Sequence, residues 1–152
     1  MEVSVDVPAG TTIARIGIYE DAITPTGTDL DLFVCLGGTL VALSADGDSD
    51  EEVTFSFASP LAATRTYVAY VHGFSTNGPS ASGTLFDWSV PAGSSGNTTL
   101  AVTPPGNATV GGEKTITATF AGLTGDKRYM GAVDYNNGGA PIARTILRVN
   151  TP

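Results

Sequence analysis

Positive charge is scarce in this sequence: Lys and Arg number 7 against 15 Asp and Glu, a formal net charge of −8. Nucleic acid is bound by clustered Lys and Arg that release counterions, so that partner class is excluded. Cysteine and histidine are scarcer still, with one of each, Cys35 and His72. A single cysteine excludes an internal disulfide framework and does not decide the compartment; Cys35 reads as a small buried hydrophobe rather than a reactive thiol. With these two residues as the only thiol and imidazole, a zinc site lacks its ligands.

No apolar run approaches the ~18 residues of a membrane span, which excludes insertion by a helix. Met1-Glu2 followed by alternating valines is not a signal peptide, and any export signal is expected upstream of this piece. Helical periodicity is missing as well: no ten-residue stretch places apolar residues at i, i+3, i+4 and i+7. Nineteen glycines and nine prolines favour turns, so helix is expected to be nearly absent.

What the sequence does have is a succession of short strands at the ~8–12-residue spacing of sandwiches and barrels. "VSVDV" (3–7), "ARIGIY" (14–19), "LDLFVCL" (30–36), "LVALS" (40–44), "VTFSF" (53–57), "TYVAYVHGF" (66–74) and "TLFDWSV" (84–90) form a first unit. In the third of these, Leu30, Leu32, Val34 and Leu36 share one face, leaving Asp29, Asp31, Phe33 and Cys35 on the other. "GG" at 37–38 is expected to close a hairpin, and "NG" at 77–78 to form a further turn.

Charge divides the chain at the same place as composition. Residues 1–91 carry twelve acids against Arg15 and Arg65, a net −10, whereas 92–152 carry three acids against five Lys and Arg, a net +2. The expected organisation is a β-sandwich at 1–91, a linker at 92–96 within "PAGSSGN", and a smaller β-sandwich at 97–152. Strands of the second unit are expected at 98–103, 114–120, 128–135 and 143–149, with "TGD" (124–126) and "NNGG" (136–139) as hairpin turns.

The acids are concentrated. Residues 20–52 hold nine of the fifteen, namely Glu20, Asp21, Asp29, Asp31, Asp46, Asp48, Asp50, Glu51 and Glu52, with no Lys or Arg among them. Crowded carboxylates repel unless neutralised, and Ca²⁺ does this with six to eight oxygen ligands. Asp46, Asp48 and Asp50 have the alternate spacing of calcium loops, and Asp29 and Asp31 stand on one strand face; these five are the candidate Ca²⁺ ligands. The loop is not an EF-hand, since Glu51 stands where glycine is needed and Phe57 where the closing glutamate belongs. The alternative reading is a solvated acidic loop that keeps the domain soluble.

Catalysis has little to stand on. His72, placed as a partly buried histidine at a strand end, is the only base for a hydrolytic triad, and no G-x-S-x-G elbow accompanies it. Paired acids on sandwich loops without a cleft do not make a glycosidase. Phe74, Phe86, Trp88, Tyr67 and Tyr70 are expected to cluster in two adjacent strands; core packing is their ordinary role, and Trp88 with Phe74 is the candidate pair for a sugar-binding platform.

The ordered phrases "VDVPAGTTIARIGIYEDA", "DLDLFV", "GGTLVALSADG", "EEVTF", "YVAYVHGF" and "TLFDWSV" resemble the C-terminal extension of secreted bacterial subtilisin-like serine proteases. The first unit is similar to the bacterial pre-peptidase C-terminal domain, whose "D-x-D-L-x-V" strand matches Asp29 to Val34. The second, with "ATVGGEKTITATFAGLTGDKRYMGAVDY", resembles the fibronectin-type-III-like tail of those enzymes. The resemblance implies a jelly-roll-like sandwich followed by an immunoglobulin- or fibronectin-III-like one, both secreted and joined to a catalytic domain upstream.

It also implies the roles of such extensions: calcium binding, stabilisation, secretion, or attachment to a protein or polysaccharide substrate. His72-Gly73 matches the extension's own strand end, with Phe74 in place of Trp, and no Gly-Thr-Ser nucleophile motif is present. Cys35 departs from the bulky residue common in that strand. The expected function is therefore a non-catalytic accessory region; the alternatives are a structural spacer without ligand and a carbohydrate- or collagen-binding module.

Overall fold

The computed structural model describes residues 1–93, 99–106, 108–138 and 140–152. Its strands are β1 (Glu2–Val7), β2 (Thr11–Ile18), β3 (Ile23–Thr24), β4 (Asp29–Leu36), β5 (Thr39–Ser44), β6 (Glu51–Ser56), β7 (Arg65–Ser75), β8 (Ser82–Gly83), β9 (Phe86–Pro91), β10 (Thr99–Thr103), β11 (Thr117–Ala121), β12 (Arg128–Asn137) and β13 (Ala140–Asn150). The protein is all-β. Among the described residues the only helical element is the 3₁₀ turn Glu20–Ala22. Two compact units divide the chain, Met1–Ala92 and Gly93–Pro152, and the linker read at 92–96 falls largely on 94–98, outside the described residues.

The first unit is a sandwich of two antiparallel sheets, ordered β1-β7-β4-β5 and β6-β2-β9, with β3 and β8 forming a small third sheet. Alternation along each strand builds its core. Val5, Val7, Leu32, Val34, Tyr67 and Ala69 come from the four-stranded sheet and meet Ala14, Ile16 and Val53 from the three-stranded one. Tyr67 stacks on Phe55 across this layer, with ring centroids 4.7 Å apart. A second cluster, Ile18, Ile23 and Leu30, fills the end next to β3 and β8.

Turn chemistry fixes the register of the first hairpin. Gly37 and Gly38 both adopt positive φ, 57° and 80°, which costs glycine nothing and suits a tight β4–β5 turn. The joint at 77–78 does a different job. β7 and β9 lie in different sheets, so Asn77-Gly78 belongs to a crossover between layers and does not close a hairpin.

In the second unit β10 pairs with β11 and β12 with β13, all antiparallel. The two ladders pack closely enough that a Cβ added at Gly131 of β12 would lie 3.7 Å from Leu100 Cδ2 of β10. "TGD" at 124–126 therefore links one ladder to the other, whereas the β12–β13 connection is the hairpin. Asp126 takes positive φ there and its amide donates to the Pro152 carbonyl at 3.2 Å. No described residue of this unit is fully buried, as expected of a thin four-stranded structure.

Candidate metal centre

The acidic loop between β5 and β6 is ordered by its own side chains. Asp46 Oδ1 accepts the Asp48 amide at 3.2 Å, and Asp48 Oδ1 accepts the Asp50 amide at 2.8 Å. These are consecutive Asx-type turns, the backbone closing on a carboxylate two residues upstream. Asp50 Oδ1 accepts from the Glu20 amide at 3.0 Å, tying the loop to the 3₁₀ turn.

Ser49 anchors the loop to β4. Its fully buried hydroxyl donates to Thr28 O at 2.6 Å and accepts the Leu30 amide at 3.1 Å, so it bridges the residues on either side of Asp29. One small hydroxyl thus satisfies two buried backbone groups where β4 begins.

Glu51 opens β6 and pairs with Ile18 of β2. Strand alternation places Glu51 on the same inner face as Val53 and Phe55, which sends its carboxylate into the end of the sandwich. Its relative exposure is 0%. Oε1 accepts the Asp46 amide at 2.8 Å, and Oε2 is buried without any hydrogen-bond partner. An ionised carboxylate oxygen left unpaired in a core is destabilising unless a cation or donor reaches it.

Asp46, Asp48 and Glu51 each offer a carboxylate oxygen, and these atoms lie within 4.8 Å of one another. Among the described residues this is the one group of three or more acidic, histidine or cysteine ligands so gathered. Three hard anionic oxygens suit Ca²⁺, which completes its shell with backbone carbonyls and water.

The five sequence-derived candidates are distributed as follows. Asp46 and Asp48 belong to the cluster. Asp50 stands outside it, and its Oδ1 accepts the Glu20 amide. Asp31 is buried at 7% and its Oδ2 lies 3.0 Å from His72 Nδ1, its cross-strand neighbour on β7. Asp29 stands outside the cluster and keeps a buried Oδ1 with no partner. Glu51 was not among the five, yet the signal was present: Glu51, Val53 and Phe55 alternate, which points the acid inward with the hydrophobes.

His72 has a side chain 60% exposed rather than partly buried, with its ring edge-on to Phe33 at 6.3 Å. Since an ionised Asp31 only accepts, Nδ1 carries the hydrogen and donates. Cys35 is a free thiol, half-buried beside Leu40 and Val68.

Trp88 and Phe74 occupy different sheets. Trp88 stacks with Phe86 at 5.8 Å and meets Tyr19 edge-on at 6.2 Å, while Phe74 is 72% exposed on β7. Comparison with protein-family profiles, with curated proteins and with solved structures found no match to this chain.

Proposed function

We propose that the chain is a non-catalytic accessory region of a secreted subtilisin-like endopeptidase, and that Ca²⁺ stabilises its first unit. Asp46, Asp48 and Glu51 are the carboxylate ligands. The observation that carries the calcium part is Glu51: a fully buried acid with one unpartnered oxygen, facing two aspartates in a loop without a basic residue. Glu51 takes the place of Asp29, Asp31 and Asp50 in this ligand set, because those three stand outside the gathered group. The protease context rests on the resemblance of the phrases from residue 3 to residue 150.

The test is calorimetric melting of the chelator-treated chain with and without Ca²⁺. A ligand that binds only the native state adds RT ln(1 + [Ca²⁺]/Kd) to stability, so Tm rises with concentration. An unchanged melting curve at millimolar Ca²⁺ refutes the calcium part. Turnover of peptide, ester or glycoside substrates that disappears in His72→Ala refutes the non-catalytic part.

A second reading is a spacer without ligand. The loop's own hydrogen bonds favour it, since Asp46, Asp48 and Asp50 already cap backbone amides. It predicts flat calcium titrations but faster thermal inactivation of a protease lacking residues 1–152.

A further inference from the structure

The two sheets of the first unit leave four edge strands, β1, β5, β6 and β9. An open edge presents unpaired N–H and C=O groups to any other strand, and charge or proline is the usual protection. β1 carries Glu2 and Asp6, β6 carries Glu51 and Glu52, and β9 carries Asp87 and Pro91. β5, with the sequence Thr-Leu-Val-Ala-Leu-Ser, carries neither.

The sheet face beside this edge is apolar. Leu43 sits next to Phe33, which sits next to Tyr70; Leu40 sits next to Cys35, which sits next to Val68. Leu40, Val41 and Leu43 are 48%, 43% and 55% exposed. Apolar residues gathered at an unprotected edge mark an association surface.

We propose that β5 pairs antiparallel with β5 of a second copy of this chain, across a two-fold axis, joining the two four-stranded sheets. Register argues for a copy of itself. The shift between Val34 and Cys35 leaves Val41 without a β4 partner, so Leu40 and Leu43, three apart in sequence, share the outer face. In a regular strand, residues three apart face opposite ways. An isologous contact that pairs Leu40 with Leu43 of the second copy therefore keeps all four leucines on one face, and Thr39 meets Ser44 on the other.

Charge argues for the same arrangement. The acids Asp46 to Glu52 follow β5, and the uncharged Gly37-Gly38 turn precedes it. Antiparallel pairing sets each acidic loop against the other copy's glycine turn and holds the two loops about 20 Å apart, the length of six strand residues. Parallel pairing would stack them side by side. The proposal does not rest on the calcium reading.

The test combines sedimentation of the full chain over a concentration series with directed disulfide formation. Cys35 lies opposite Leu40 in the β4–β5 ladder, so the background variant is Cys35→Ser. In that background, Leu40→Cys chains mixed with Leu43→Cys chains should cross-link on oxidation, and either chain alone should cross-link far less. Leu43→Lys should weaken dimerisation about tenfold or more, with Tm unchanged at dilutions where both chains are monomeric, because the side chain is exposed in the monomer. Sedimentation as a monomer up to millimolar concentration overturns the proposal and leaves the edge to a strand of some other protein. A dimer indifferent to Leu43→Lys, or equal cross-linking in unmixed chains, overturns the β5 contact.

Discussion

Glu51 and Asp46 are joined by a hydrogen bond from the Asp46 amide to Glu51 Oε1 at 2.8 Å, while Glu51 Oε2 is buried without a partner. Half of this carboxylate holds the acidic loop to the sandwich. Asp46, Asp48 and Glu51 each bring a carboxylate oxygen to within 4.8 Å of the other two. An arrangement of this kind is unfavourable by itself and favourable around a divalent cation.

The first prediction separates ligands from bystanders. Glu51→Gln should abolish the calcium-induced rise in Tm, because amide replaces anion at the most buried ligand. Asp50→Asn should leave calcium affinity within about threefold of the unaltered chain, since Asp50 serves the Glu20 amide. Parallel melts with and without Ca²⁺ check both variants.

A second prediction concerns Asp31, whose carboxylate is buried at 7% and meets His72 Nδ1 at 3.0 Å. His72→Ala strands that carboxylate and should lower stability by about 1–3 kcal/mol. Asp31→Asn should cost less, since a neutral amide is cheaper to leave without its partner. Urea unfolding of the two variants measures the difference, and the reverse order would contradict the pairing.

The third prediction lies where β8 pairs with β3. A Cβ at Gly83 would fall 2.2 Å from Ile23 Cδ1 and 2.8 Å from the Ala22 carbonyl, and the carbonyl cannot rotate away. Gly83→Ala should therefore destabilise the first unit by about 1–3 kcal/mol through overpacking. Gly10→Ala makes a useful contrast, because nothing lies within 4 Å of its Cβ position and only the φ of 85° opposes the substitution. Thermal melts should rank Gly83→Ala as the more damaging if the close approach dominates.

The fourth prediction is a pH dependence in the second unit. Hydrogen bonding from Arg144 on the facing strand holds the Asp134 carboxyl below the ordinary aspartate value, and burial opposes this. A depressed carboxyl contributes stability that is complete above its unfolded pKa, near 4, and is lost as pH falls through the lower folded value. The contribution is small, because Asp134 is 43% exposed and solvent screens the pair. Amide exchange in the β12–β13 hairpin should accelerate below about pH 4 relative to an Asp134→Asn chain, after correction for intrinsic rates. Equal exchange in both chains at low and neutral pH alike would remove the pair's role.

Much of the fold was legible because alternation is a strong signal in a sandwich. Leu32 and Val34 are fully buried while Phe33 and Cys35 face the other way, as period two requires. Asp31 is the exception on that face, buried and paired with His72 on the next strand, a partner that sequence distance conceals. β3 and β8 escaped notice because two residues carry no periodicity. Succession in the chain also misleads about adjacency: only the two-residue β8 lies between β7 and β9 in sequence, but a crossover sends them to different layers, which separates Phe74 from Trp88.

At the candidate site the acids were visible and their division of labour was not. Aspartates at alternate positions can ligate a metal or cap a backbone, and residue type does not distinguish the two uses. Asp50 became a cap for the Glu20 amide. Glu51 became the inward acid because β6 begins one residue before Glu52, whose side chain instead meets Arg15 and Tyr19 on the outer face.

The most direct test of the calcium centre is isothermal titration of the metal-stripped chain with Ca²⁺, repeated on Glu51→Gln and on Asp29→Asn, Asp31→Asn. The account predicts saturable binding that Glu51→Gln eliminates and the double variant retains. A flat titration of the unaltered chain, or binding lost only in the double variant, would contradict it.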